Sequence, residues 1–179
     1  MSDGWTKEQK EEFIENSRHA IDHLFDALDD YNSVLHSNQM LSDSFMYRDQ
    51  WSPNANHYYT QYLNQQQEAR IESMSCLAGA LLQIARQALS LRHSGKPEIS
   101  GARNIGSQSI TDVIWYGRNH AMHWDEGGPR KKAKDMLNAL SIDRGISVDL
   151  GKNNSLAILD ALCWKSSDDM IVDLKELIK

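Results

Sequence analysis

Apolar residues recur along this chain at spacings of three, four and seven, the period of a helix face. Ile14, Ile21, Leu24, Leu28, Tyr31 and Leu35 fall on one stripe, widened by Phe13 and Phe25. The pattern predicts a helix over residues 7–35. Its opposite face carries Glu8, Glu11, Glu12, Glu15, Asp22, Asp26 and Asp29 and reads as a solvated surface. A second stripe, Met74, Leu77, Leu81, Ile84, Ala88 and Leu91, predicts a helix over residues 57–92. Within it Ala78, Gly79 and Ala80 are small enough to admit a neighbouring helix at close range. At ~30 residues each, the two helices are ~45 Å long and natural antiparallel partners.

Shorter elements follow. The connection 37–56 is long for a bundle loop and rich in apolar and aromatic residues: Met40, Leu41, Phe45, Met46, Tyr47 and Trp51. It predicts a short helix packed on the bundle, with a partner-binding surface as the alternative. Residues 93–106, with Gly95, Pro97, Gly101 and Gly106, predict a loop. Ser109, with Asp112 three residues later, suits an N-terminal helix cap. Ile110, Ile114, Gly117, Ala121 and Trp124 then give a buried stripe, and Gly127, Gly128 and Pro129 stop it. Residues 130–140 predict a short basic helix. Residues 141–154 read as loop with 146–150 as a short strand. Residues 154–179 read as helix, broken near Ser166 and Ser167. The sum is one all-α domain over 1–179, a helical bundle of four to five helices with two long antiparallel helices.

Composition narrows the class. Hydrophobic residues make up 40% and charged residues 25% of the 179, a balance that supports a packed core rather than disorder. The longest apolar run, 77–82, is far short of the ~20 residues that cross a bilayer, so no membrane association is expected. The N-terminus is acidic and polar, with no basic stretch leading into an apolar one, so no signal peptide is expected. Cys76 and Cys163 are isolated and lack metal-binding spacing. They read as free thiols of a cytoplasmic protein.

The net charge of −6 argues against wholesale wrapping of nucleic acid, but it is unevenly spread. Residues 1–91 carry 6 basic and 13 acidic side chains, a net of −7. Residues 92–144 carry 9 and 6, a net of +3, and residues 145–179 carry 4 and 6, a net of −2. A polyanion is expected to meet the chain in its middle third.

That third holds the densest polar cluster, Trp115-Tyr116-Gly117-Arg118-Asn119-His120-Ala121-Met122-His123-Trp124. An arginine, an asparagine and two histidines occupy the last turns of an otherwise apolar helix, where polar groups are costly to bury without partners. At ~100° per residue Asn119 and His123 share a face. Arg118 lies ~140° from His123. The two converge if Arg118 reaches around, if the helix loosens before His123, or if a second copy of the helix supplies the other half of a shared cleft.

Arg118, a polar Asn119 and then His123 near the end of a late helix resemble the signature of HEPN domains, the higher-eukaryote and prokaryote nucleotide-binding superfamily. In that signature an arginine precedes a histidine with four to six residues between them, here four. The resemblance implies a metal-independent endoribonuclease without cofactors, of the toxin–antitoxin or phage-defence kind. It implies a homodimer with two motifs lining one cleft, and an antitoxin or other regulatory protein as partner. Carried over, Arg118 and His123 are the catalytic pair and Asn119 supports them, with His120 a lesser candidate. The chemistry is sound: cleaving RNA through its own 2′-hydroxyl needs a proton carrier that titrates near neutrality. It also needs a fixed cation on the phosphate. The product end is then a 2′,3′-cyclic phosphate.

Arg130, Lys131, Lys132 and Lys134 follow the motif and suit RNA phosphates. Trp115, Tyr116 and Trp124 suit stacking on unpaired bases, against a competing reading as core. Where some family members carry a modifiable tyrosine two positions after the histidine, this chain has Asp125.

Two other readings compete. His120 and His123 share an ion if Asp125, Glu126, His57 or His93 joins them, but no His-Glu-x-x-His or Glu-x-x-His occurs and no metal is expected. A non-catalytic HEPN-like module that binds a nucleotide or a protein partner is the alternative.

Overall fold

The computed structural model describes residues 5–46, 53–91, 96–97, 99 and 101–179. These form an all-α bundle of six helices with one minimal hairpin: α1 (Lys7–Met46), α2 (Pro53–Ser90), β1 (Asn104–Ile105), β2 (Gln108–Ser109), α3 (Ile110–His123), α4 (Lys131–Arg144), α5 (Ser155–Leu162) and α6 (Ser167–Leu177).

The long helices exceed the predicted lengths. They have 40 and 38 residues, so each spans nearly 60 Å at about 1.5 Å per residue. They pack on one another and, with only six residues between them, run antiparallel. α1 continues unbroken to Met46, so residues 37–46 are the end of a long helix rather than a separate short one. Met40 and Leu41 are exposed there instead of packed. Tyr47 and Trp51, and the side chains of Phe45 and Met46, lie outside the described residues, as do His93 and Gly95.

α2 is the hub. α1 covers one side and α3 and α5 pack on another, with α6 closing against α1 and α2. This is why α2 buries more than the one predicted stripe: Ala78, Leu82, Ala85 and Leu89 are buried beside Met74, Leu81 and Ala88. One hydrophobic cluster runs from Ile14 and Ile21 of α1 through α2 and α3 to Leu174 and Leu177 of α6.

The loop before α3 contains the hairpin, with Asn104 opposite Ser109 and Ile105 opposite Gln108. The Ser107 backbone N–H and hydroxyl both donate to Asp143 Oδ2 of α4, at 2.7 and 2.6 Å. The predicted strand at 146–150 does not form. Side chains satisfy that backbone instead: Ser141 Oγ donates to Ile146 O at 3.0 Å, and Asp149 N–H donates to Asn154 Oδ1 at 3.0 Å. α4 runs a turn further than its apolar pattern predicts and stops at Gly145, whose φ of 66° suits glycine. The predicted break near Ser166 is real. It begins at Cys163, left-handed at φ 58°, and ends at a capping box of Ser166 and Asp169. This break splits the last predicted helix and gives the sixth.

Arg103, Asp173 and Trp164 tie the hairpin to α6. Arg103 Nε donates to Asp173 Oδ1 at 2.8 Å, Arg103 Nη2 donates to Leu162 O at 2.7 Å, and Trp164 Nε1 donates to Asp173 Oδ2 at 2.6 Å. Among the described residues no helix is long and apolar enough to cross a membrane.

Asp173→Ala removes the acceptor that Arg103 and the buried Trp164 share. It is expected to lower unfolding free energy by about 2–3 kcal/mol, because a half-buried cation and an indole N–H lose their partner. Urea unfolding of the two proteins measures it.

Candidate active site

The polar cluster of α3 opens onto a cavity of about 680 Å³ between α2, the end of α3 and the start of α4. Two glycines make that arrangement possible. A Cβ on Gly79 of α2 would stand 3.2 Å from Ala121 Cβ, and one on Gly117 of α3 would stand 3.2 Å from Ile158 Cδ1 and Cγ2 and 3.6 Å from Leu82 Cδ1. α3 therefore lies hard against α2 and α5 only because both positions lack side chains. Ser109 caps α3 as its sequence predicts, its Oγ accepting from Asp112 N–H at 3.1 Å.

Arg118 and His123 both border the cavity, with Asn119 between them. A single chain thus brings the pair to one space: Tyr116, Asn119, His120 and His123 of one α3 face border it, and the long Arg118 side chain reaches it from the side. Arg118 is half-buried. Its Nε donates to Gln83 Oε1 of α2, and its Nη1 donates to Asn119 Oδ1 at 3.5 Å. No carboxylate pairs with it among the described residues. Burial, and after it the nearby Arg86 cation, lower the guanidinium pKa from its ordinary value. Arginine is the most basic side chain, so Arg118 stays charged at neutral pH despite this.

His123 Nδ1 lies 2.8 Å from Glu126 Oε1. An ionised carboxylate only accepts, so Nδ1 carries the hydrogen in this bond, and in the neutral ring Nε2 is the acceptor.

His120 differs from its neighbours. It is 1% exposed, and although part of it borders the cavity, its Nε2 sits 3.1 Å from Lys152 O and 3.3 Å from Asn154 N. Asn154 Nδ2 donates to Lys152 O and Asp149 O at 2.9 and 2.7 Å. The ring thus pins the 149–154 loop. Burial lowers its pKa, against the opposing Lys152 carbonyl contact.

The far wall is basic. Arg130, Lys131 and Lys132 border the cavity, whereas Lys134 and Trp124 are not brought to it. Trp124 is the half-buried C-cap of α3. α4 begins without a side-chain cap and without an acidic residue in its first turn, so free backbone N–H groups and two lysines point the same polarity at this space. The other aromatic candidates are engaged by cations. Arg86 lies over the Trp115 ring at 4.2 Å, and Lys96 and Lys132 lie 5.2 and 5.9 Å from the Tyr116 ring. Lys96 also pairs with Asp112.

Gln83 and Arg86 are the site residues that α3-centred sequence reasoning misses. A signal for them exists: they lie four and seven residues after Gly79, on the helix face where small residues announce a close neighbour. Among the described residues no three histidine, cysteine, aspartate or glutamate side chains group to hold a metal ion. No protein-family model, curated protein or solved structure matches the chain, so the cleft is interpreted from its own geometry.

His120 gives a pH prediction with a defined sign. Its folded pKa is below the unfolded value of 6.5, so the unfolded chain binds the proton more readily and stability falls as pH drops below about 6.5. Wild type is expected to lose stability between pH 7.5 and 5.5. His120→Gln is expected to lose less over the same interval. Parallel urea titrations at the two pH values would refute this by giving equal losses.

Proposed function

We propose that this bundle cleaves RNA at the α2–α3–α4 cleft, in the manner of a HEPN-type endoribonuclease. The observation that carries the reading is the convergence of Arg118, Asn119 and His123 on one cavity whose remaining charged lining is basic, apart from the glutamate that orients the histidine.

The residues fit the steps. His123 Nε2 accepts the proton of the ribose 2′-hydroxyl, while Glu126 holds Nδ1–H and stabilises the imidazolium that forms. The 2′-oxygen bonds to phosphorus and the bond from phosphorus to the 5′-oxygen breaks. The leaving oxygen takes up a proton from solvent, to which His123 returns its own, giving a 2′,3′-cyclic phosphate and a 5′-hydroxyl end. Arg118, fixed by Gln83, faces the phosphate as negative charge builds on its oxygens. Arg130, Lys131, Lys132 and the uncapped start of α4 attract and seat the polyanion. Neither an oxidant nor a hydrolytic water enters the balance.

Purified wild type, incubated with RNA in the presence of EDTA, is expected to leave 2′,3′-cyclic phosphate ends. His123→Ala and Arg118→Ala are each expected to cut the rate by about 100-fold or more. Both side chains are partly exposed, so their melting temperatures stay close to that of wild type. Glu126→Gln is expected to lower the rate less than His123→Ala. Failure of wild type to cleave structured or single-stranded RNA would turn the cleft into a binding site, and equal cleavage by His123→Ala would move the chemistry elsewhere.

A further inference from the structure

Arg86 belongs to α2, outside the motif, yet its guanidinium borders the same cavity as that of Arg118. It is held flat on the Trp115 ring at 4.2 Å. Neither arginine has a carboxylate partner among the described residues. Two acids of this region are already engaged, Glu126 by His123 and Asp112 by Lys96. The fold thus places two planar cations side by side, each oriented by a neutral group of the chain, Gln83 for Arg118 and Trp115 for Arg86. Like charges in a half-buried cleft repel, and an anion between them relieves the repulsion. Arg86 lies over Trp115, and Lys96 and Lys132 lie over Tyr116, so cations occupy aromatic surfaces that bases would otherwise stack on.

We propose that Arg86 and Arg118 form a two-point clamp on the sugar–phosphate backbone of a single strand. Arg118 sits on the scissile phosphate and Arg86 on a neighbouring one, and the bases are left unread. The clamp takes its substrate class from the RNA-cleaving reading of the cleft. Arg86 deepens that reading by making α2 a substrate-binding element. Two guanidiniums supply fork-shaped donors that suit phosphate oxygens, and a backbone-only grip has no use for the 2′-hydroxyl or for base identity.

The test measures binding in a cleavage-silenced His123→Ala background, by fluorescence anisotropy over a series of salt concentrations. The probes are oligouridine, oligoadenosine, single-stranded DNA of equal length, ATP and inorganic pyrophosphate. The three oligonucleotides are expected to bind within a few-fold of one another. Adding Arg86→Met, which keeps the stem on Trp115, is expected to weaken all three about tenfold and to lower the salt slope by about 0.7. Arg86→Lys retains the slope and guards against a folding defect in the methionine variant. Unchanged affinity and slope in folded Arg86→Met overturns the clamp. A strong preference for one base or for RNA over DNA overturns backbone-only recognition. Pyrophosphate or ATP binding as tightly as the oligonucleotides, with the same dependence on Arg86, overturns the chain phosphate as ligand. Arg86-dependent binding by a wild type that does not cleave leaves the clamp standing and removes the nuclease.

Discussion

The close approach of α3 to α2 is the constraint on which the cleft depends. Gly79 sets that distance, since a Cβ there would stand 3.2 Å from Ala121 Cβ, and Gly117 does the same for α3 against Ile158 of α5. Once the helices are in contact at Gly79 and Ala121, helical periodicity fixes the next turns. Gln83 comes to Arg118, and Arg86 comes to Trp115. The site is therefore a consequence of backbone packing two turns long, and its polar geometry inherits the rigidity of a buried apolar seam.

Charge is distributed by the same logic. Away from the cleft, several cations have acidic partners: Arg18 with Glu15 and Asp168, Arg103 with Asp173, Lys175 with Glu15. At the cleft, Arg86, Arg118, Arg130, Lys131 and Lys132 have none among the described residues. Exposed pairs contribute little stability, so this difference says less about folding than about potential. On a chain of net −6, this concavity gathers cations without carboxylate partners and makes the local potential positive. Stability comes chiefly from the hydrophobic cluster.

Much of the architecture is legible from the sequence because helices announce themselves by period. The stripe through Ile14, Ile21 and Leu28 and the one through Met74, Leu81 and Ala88 both face the core, and Ser109 caps α3 where predicted. The helix ends are less legible. α1 runs on past Leu35 because nothing in residues 36–46 breaks it, even though its stripe has faded and Tyr31 is exposed. The 146–150 segment carries an apolar pattern without a neighbouring edge, and strand propensity alone forms no strand. At the cleft, the motif lies on a helix that borders it, while the helix wheel places Arg118 and His123 on divergent faces. The cavity runs along the face of Tyr116, Asn119, His120 and His123, and the long Arg118 side chain reaches it from the side, which a wheel of Cα directions does not show. Arg86 was obscured by charge accounting along the chain, because it sits in the segment with net −7. Only the fold moves it across to the positive third.

The start of α4 is where the charge pattern departs furthest from what helix stability alone favours. Cations in the first turn of a helix lie against the positive end of its dipole, and an uncapped N-terminus leaves backbone N–H groups unpaired. α3 and α6 avoid both costs, with Ser109 and Asp112 in one and the Ser166–Asp169 box in the other. α4 incurs both, with Arg130 at the cap position and Lys131 and Lys132 next. A surface selected for solubility alone gains nothing from this placement, since the same lysines at the helix's other end would be favoured by its dipole. An anion in the cleft reverses the sign of each term: the dipole, the free N–H groups and the lysines all then stabilise the bound state. The start of α4 thus departs from the local rules that the other capped helices follow, and the cost falls only if an anion occupies the cleft, as the proposed function requires.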